Sequence, residues 1–136
     1  MSLRPTLANF RVVAYTNENR AESNREAWEI QLETSIEISM AVSTVAGSPI
    51  QAWVRMHLSA KAKSSQNPPA TASFDGEYQG SFNYPEAATE TEVNALTMIE
   101  EHQYLLAAQV FPLAMSHFRL QLQAAGFDAR ELPLGL

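Results

Sequence analysis

The chain predicts an α+β fold, a four-stranded antiparallel sheet followed by two C-terminal helices packed on one of its faces. Three observations predict it. Apolar residues alternate strictly with polar ones through most of the first 84 positions, the signature of strands with one wet face. From Pro85 the period changes to helical spacing. The strand segments all precede the helical ones, and strands grouped before helices pack as α+β rather than as βαβ units.

The first run is short: Phe10, Val12 and Ala14 alternate up to Tyr15, before the polar stretch Thr16 to Arg25. The clearest run is Trp28 to Val42, with Trp28, Ile30, Leu32, Ile36, Ile38, Met40 and Val42 on one face and Glu29, Gln31, Glu33, Ser35, Glu37 and Ser39 on the other. At about 3.3 Å per residue it would extend about 50 Å, so a bulge, a break or strong twist is expected along it. Gly47-Ser48-Pro49 supplies a turn. The third run sets Ala52, Val54, Met56, Leu58, Ala60 and Ala62 against Trp53, Arg55, His57, Lys61 and Lys63. Opposite charges on the polar faces of the second and third runs favour their pairing as a hairpin. After Ser64-Ser65-Gln66-Asn67-Pro68-Pro69, the fourth run places Phe74, Gly76, Tyr78, Gly80, Phe82 and Tyr84 on one face, an alternation of ring and hole. The expected sheet is a meander.

Thr89-Glu90-Thr91-Glu92 matches a capping box, and Val93, Leu96 and Ile99 follow at helical spacing. Leu105 to Val110 is ambiguous. Pro112 suits the first turn of a second helix, whose stripe is Phe111, Met115, Phe118, Leu122 and Ala125. Gly126 can close it, with Phe127 packing back.

The 136 residues suit a single domain, 1–136, able to bury a core without staples. Lys+Arg 9 against Asp+Glu 15 gives a net charge of -6, which repels phosphate and argues against nucleic acid as a partner. The absence of cysteine removes disulfides, thiol nucleophiles and cysteine metal sites. No apolar run approaches the ~18 residues of a membrane span, and MSLRPTLANF is too short and polar for a signal peptide, so a cytoplasmic protein without membrane insertion is expected. His57, His102 and His117 lack metal-ligand spacing, and neither a nucleophile elbow nor a glycine-rich phosphate loop is present. Glu100-Glu101 beside His102 is better read as a solvated helix face than as an acid/base cluster. Neither an enzyme nor a cofactor or metal is expected.

The ring-and-hole strand admits two readings. A glycine beside a ring leaves an apolar recess for another chain's side chain, in which case Phe74, Tyr78, Phe82 and Met98 form a client-binding groove; alternatively, the glycines let a helix approach the sheet and the rings fill the core.

In its order of elements and in several short segments the chain resembles the SecB family of export chaperones. Val110-Phe111-Pro112-Leu113-Ala114, then Gly126-Phe127, then Leu132-Pro133-Leu134, are similar to the family's F-P-Y-A-R-E, G-x-F-P and L-x-L-x-P. Tyr15-Thr16-Asn17-Glu18-Asn19-Arg20-Ala21-Glu22 resembles Y-x-K-D-I-S-F-E, and Phe74 to Phe82 is similar to F-L-C-E-V-Q-Q-x-G-I-F. The resemblance implies a homo-oligomeric holdase, a dimer or a tetramer formed as a dimer of dimers, that binds unfolded or precursor polypeptides and in many members delivers them to the SecA motor. The acidic SecA-contact positions fall on Glu18, Glu22 and Glu77. The chain departs from the pattern at Asn19, Ala21, Asp75 and Met115-Ser116. Other members of the superfamily serve toxin–antitoxin systems, so an adaptor with one fixed partner is the alternative.

Overall fold

The computed structural model describes residues 4–19, 28–41, 49–64, 71–127 and 132, the backbone alone for 19, 28–41 and 64. The strands are β1 (Thr6–Asn19), β2 (Trp28–Ala41), β3 (Gln51–Ser64) and β4 (Thr71–Asn83), and the helices are α1 (Glu90–Thr97) and α2 (Glu100–Ala124). All three strand pairings are antiparallel, and the sheet order is β1-β4-β3-β2.

That order corrects the meander. Only β2, β3 and β4 follow one another across the sheet; β1 pairs with β4 at the far edge, as in a Greek key. The turn Gly47-Ser48 and most of the loop 64–69 lie outside the described residues.

Register explains which residues meet. Glu29 lies opposite Lys63 and Glu37 opposite Arg55, so the acidic and basic faces of the hairpin coincide. The ladder from Trp28 to Ala41 shows no register shift, and the irregularity expected in this run occurs in β1 instead, at Leu7/Asn9 and Val12/Ala14. Each shift moves the alternation by one residue. Directly opposite residues share a face. Leu7, Phe10, Val12 and Tyr15 thus join the apolar face opposite Phe82, Gly80, Tyr78 and Gly76, while Ala14 lies opposite Glu77 on the polar face, contrary to the simple alternation of Phe10, Val12 and Ala14.

On the apolar face, Ala52, Val54, Met56, Leu58, Ala60 and Ala62 of β3 and Phe74, Tyr78 and Phe82 of β4 are buried under α2, which contributes Leu106, Ala107, Val110, Phe111, Ala114, Met115, Phe118 and Leu122. The capping box of α1 forms in full: Glu92 N–H donates to Thr89 Oγ1 at 3.2 Å, and Thr89 N–H donates to Glu92 Oε1 at 3.2 Å. Val93 is buried, but Ile99 is exposed and serves as the N-cap of α2 instead of extending the stripe of α1.

The second helix begins at Glu100, so Pro112 lies in its interior rather than in its first turn. The ambiguous segment Leu105 to Val110 is helical because it buries Leu106, Ala107 and Val110 on the sheet, a tertiary gain that offsets the hydrogen bond proline removes. The end of α2 is a Schellman closure. Gly126 takes φ 95°, its N–H donates to Gln123 O at 2.9 Å, and Phe127 N–H donates to Leu122 O at 3.0 Å. Phe127 then packs edge-on to Phe74, with ring centroids 5.3 Å apart. Among the described residues no helix is long and apolar enough to cross a membrane.

Candidate functional site

The four residues expected to line a client groove do not form one. Phe74, Tyr78 and Phe82 come together inside the core, at most 2% exposed, whereas Met98 stands in the α1–α2 turn at 82% exposure. The glycines account for this. A Cβ at Gly80 would lie 2.5 Å from Val110 Cγ2, so the missing side chain is what lets α2 approach the sheet. At Gly76 the hole is filled by the ring of Tyr78, whose hydroxyl would be 2.7 Å from a Cβ. The recess is closed from within, and the core-filling reading of the ring-and-hole strand replaces the groove.

Glu18 and Glu77 both lie on the polar face, opposite Ser73 and Ala14 respectively. Ser73 and Glu77 are four residues apart on β4, about 13 Å at 3.3 Å per residue, so the two acids share a face without forming one cluster. Glu22 lies outside the described residues. Glu18 lines a shallow depression with Thr16, Ser59, Lys61, Ser73 and Asp75; Glu77 does not.

Polar bonds hold this face together, three of them across strands and the one between Trp53 and Gln51 within β3. His57 Nε2 pairs with Asp75 Oδ1, Arg11 Nη2 donates to Gln79 Oε1 at 3.0 Å, Gln51 Nε2 donates to Asn83 Oδ1 at 2.7 Å, and Trp53 Nε1 donates to Gln51 Oε1 at 3.2 Å. No group of three or more His, Cys, Asp or Glu able to hold a metal occurs among the described residues.

Two features escaped the sequence reading. The first is a set of large apolar side chains outside the core, of which the sequence reading named only Met98 as a binding residue: Val12 and Val13 on the edge strand β1, Met98 and Ile99 in the turn, and Tyr104, Leu113 and Leu120 on α2, the last 61% exposed. Leu113 and Leu120 are seven residues apart, two helical turns, and so share the stripe of α2 that faces away from the sheet. Their positions off the Phe111, Met115, Phe118 stripe were the available signal.

The second is a pair of tyrosine–histidine contacts between β4 with its following residue and α2. Tyr78 Oη and His117 Nδ1 share a hydrogen bond of 2.8 Å, and Tyr84 Oη and His102 Nε2 share one of 2.7 Å. Burial raises the Tyr84 phenol to about 12 and pushes the Tyr78 phenol up as well, the latter with a further contribution from Tyr15. Burial also lowers the His102 imidazole below its ordinary range. The Tyr84–His102 pair is therefore built for neutral partners. The sequence showed these histidines only as lacking ligand spacing, because contact between residues 18 or 39 apart depends on the fold.

No protein-family model matches the chain, and no curated protein does. Among solved structures, the fold is similar to that of the Mycobacterium tuberculosis Rv1957 SecB-like chaperone, solved in complex with a ChAD peptide from the Rv1956 HigA1 antitoxin. The TM-score is 0.61 at 17% sequence identity, covering 98% of this chain and 88% of that one. The architecture is thus a SecB-like α+β fold, and at this identity the likeness is one of fold.

Proposed function

We propose that the chain is a SecB-like holdase that binds unfolded or precursor polypeptides without covalent chemistry. The observation that carries the reading is the exposure of Val12, Val13, Met98, Ile99, Tyr104, Leu113 and Leu120 around a well-filled core. Burying a leucine side chain contributes roughly 1.5–3 kcal/mol. Association costs at least ~4 kcal/mol in lost freedom, so an extended client must engage several of these residues at once. Such binding is reversible and tolerant of sequence. The client surface is assigned to α2, the α1–α2 turn and the β1 edge in place of the buried rings.

Homo-oligomerisation belongs to the same proposal, since an edge strand and exposed apolar side chains on one chain also suit a second copy. Delivery to SecA is the further step that the family resemblance implies; Glu18 and Glu77 on the polar face would carry it by charge, with affinity falling as salt rises. The second reading is an adaptor or toxin–antitoxin chaperone with one fixed partner. It is favoured by the peptide seated on the M. tuberculosis neighbour, which comes from an antitoxin.

Aggregation assays with several unrelated unfolded proteins separate the two. A holdase suppresses aggregation of most of them, and the double substitution Leu113→Ser with Leu120→Ser weakens suppression while shifting stability by less than about 0.5 kcal/mol per exposed site. Protection of only one partner overturns the holdase in favour of the adaptor. Protection of none, or undiminished holding by the double variant, removes the assigned surface.

A further inference from the structure

Helix α2 is held to the sheet differently at its two ends, and Pro112 lies between them. The C-terminal half is fastened to β4 by His117, whose Nδ1 meets Tyr78 Oη, and by Phe127, which packs on Phe74 just past the Schellman closure; within the helix, His117 Nε2 also meets Gln121. The N-terminal half starts at Ile99, which provides no side-chain cap; His102 meets Tyr84 next to the sheet, and Gln103 Nε2 donates to Thr97 O of α1 at 2.7 Å. Proline has no N–H, so the Ala108 carbonyl lacks its helical partner and the backbone ladder is interrupted between the halves.

We infer that α2 is a hinged cover, bending at Pro112 and latched at its N-terminal end by the Tyr84–His102 hydrogen bond, and that acidification opens the latch by charging His102. The inference deepens the holdase reading and rests on it for the use of the uncovered surface: opening exposes Leu106, Ala107, Val110 and Phe111 together with the part of the sheet beneath them.

Geometry makes His102 the sensitive group. It is the third residue of α2, where the unpaired N–H groups and the positive end of the helix dipole oppose a cation. Its ring lies against that of Tyr84, centroids 5.9 Å apart, and Tyr84 is buried. The remaining ionisable groups nearby are the exposed carboxylates of Glu86 in the turn after β4, Glu90 and Glu92 on α1, and Glu100 and Glu101 on α2. Among the described residues none of them is ion-paired with His102. Burial, which lowers the His102 imidazole, acts in the same direction. His117 lies deep within the helix and is bonded at both nitrogens, so it serves as the internal control.

Backbone hydrogen exchange of the full chain tests the latch without any client. Rates are compared at about pH 7.5 and about pH 5.5, on either side of the ordinary histidine range, and corrected for intrinsic exchange. In wild type, amides 104–111 lose protection on acidification while 114–124 keep theirs. His102→Gln abolishes this response, His117→Gln retains it, and Tyr84→Phe shows the open pattern already at the higher pH. Uniform loss of protection along α2, an unchanged response in His102→Gln, or a Tyr84→Phe variant that remains closed overturns the inference. Aggregation suppression at the higher pH is measured alongside: failure there removes the holdase reading, while the exchange data judge the hinge independently.

Discussion

Gly80→Ala is the substitution that most directly tests how the sheet and α2 are fitted. The added Cβ would sit 2.5 Å from Val110 Cγ2, with Leu7 Cδ1 at 3.5 Å and Phe82 Cε2 at 3.7 Å. The last two are ordinary contacts; the first is not. Valine in a helix is confined to essentially one χ1 rotamer, so Val110 cannot swing away and either α2 or β4 must shift. Overpacking of this kind costs about 1–3 kcal/mol, offset by about 0.5 kcal/mol because alanine loses less backbone freedom than glycine on folding. The net expectation is a loss of about 0.5–2.5 kcal/mol, or about 2–9 °C in Tm for a chain of this size. Val110→Ala alone costs about 2 kcal/mol for two methyl groups and their cavity. The two changes should compensate. In urea melts the double variant should be at least about 1 kcal/mol more stable than the sum of the singles predicts, since contacting residues couple on that scale. A Gly80→Ala variant within about 0.5 kcal/mol of wild type, or a strictly additive cycle, would refute the argument that the glycine exists to admit the helix.

Phe82→Ala removes a fully buried ring and should cost roughly 3–5 kcal/mol in urea or thermal melts, a stability defect that a groove residue would not show. Alkali should destabilise the protein through Tyr84. Its folded phenol is raised from 10.0 to about 12, so the stability it contributes is complete below pH 10.0 and disappears as pH rises towards 12, amounting to about 2–3 kcal/mol at 1.36 kcal/mol per unit. Urea melts across that window should show the loss, and Tyr84→Phe should lack this contribution. On the acid side the sign reverses. His102 is lowered by burial, so stability falls as pH drops through the unfolded value of 6.5, and His102→Gln should flatten that limb in thermal melts.

Local chemistry was legible where it decides the outcome alone. The capping box at Thr89, the glycine closure at Gly126 and the alternation of β3 and β4 each depend on residues close together in the chain, and each forms as the pattern implies. Strand order was not legible, because nothing in β1 records that its partner is β4 rather than β2. The register shift at Val12/Ala14 was invisible for the same reason: it brings Tyr15 onto the apolar face, where it meets His117 edge-on at 5.7 Å, a gain that exists only once α2 is in place. The start of α2 was misplaced because proline's local preference for a first turn was outweighed by the burial of Leu106, Ala107 and Val110 upstream of it.

The candidate site shows the same dependence more sharply. A ring beside a glycine is one local pattern with two physical uses, an open recess or a seat for a neighbouring element, and the strand carrying it cannot distinguish them. The decision belongs to Val110, thirty positions downstream of Gly80, whose methyl occupies the hole. Once the hole is filled, apolar surface for a client has to come from residues the core does not need. Leu113 and Leu120 meet that condition: they occur on the same helix as the Phe111, Met115, Phe118 stripe but are turned away from the sheet that buries it. Read along α2, the residues that build the protein and the residues that can serve a partner are therefore interleaved in one sequence and separated only by helical phase. A substitution confined to the outward phase should therefore weaken holding while leaving folding intact.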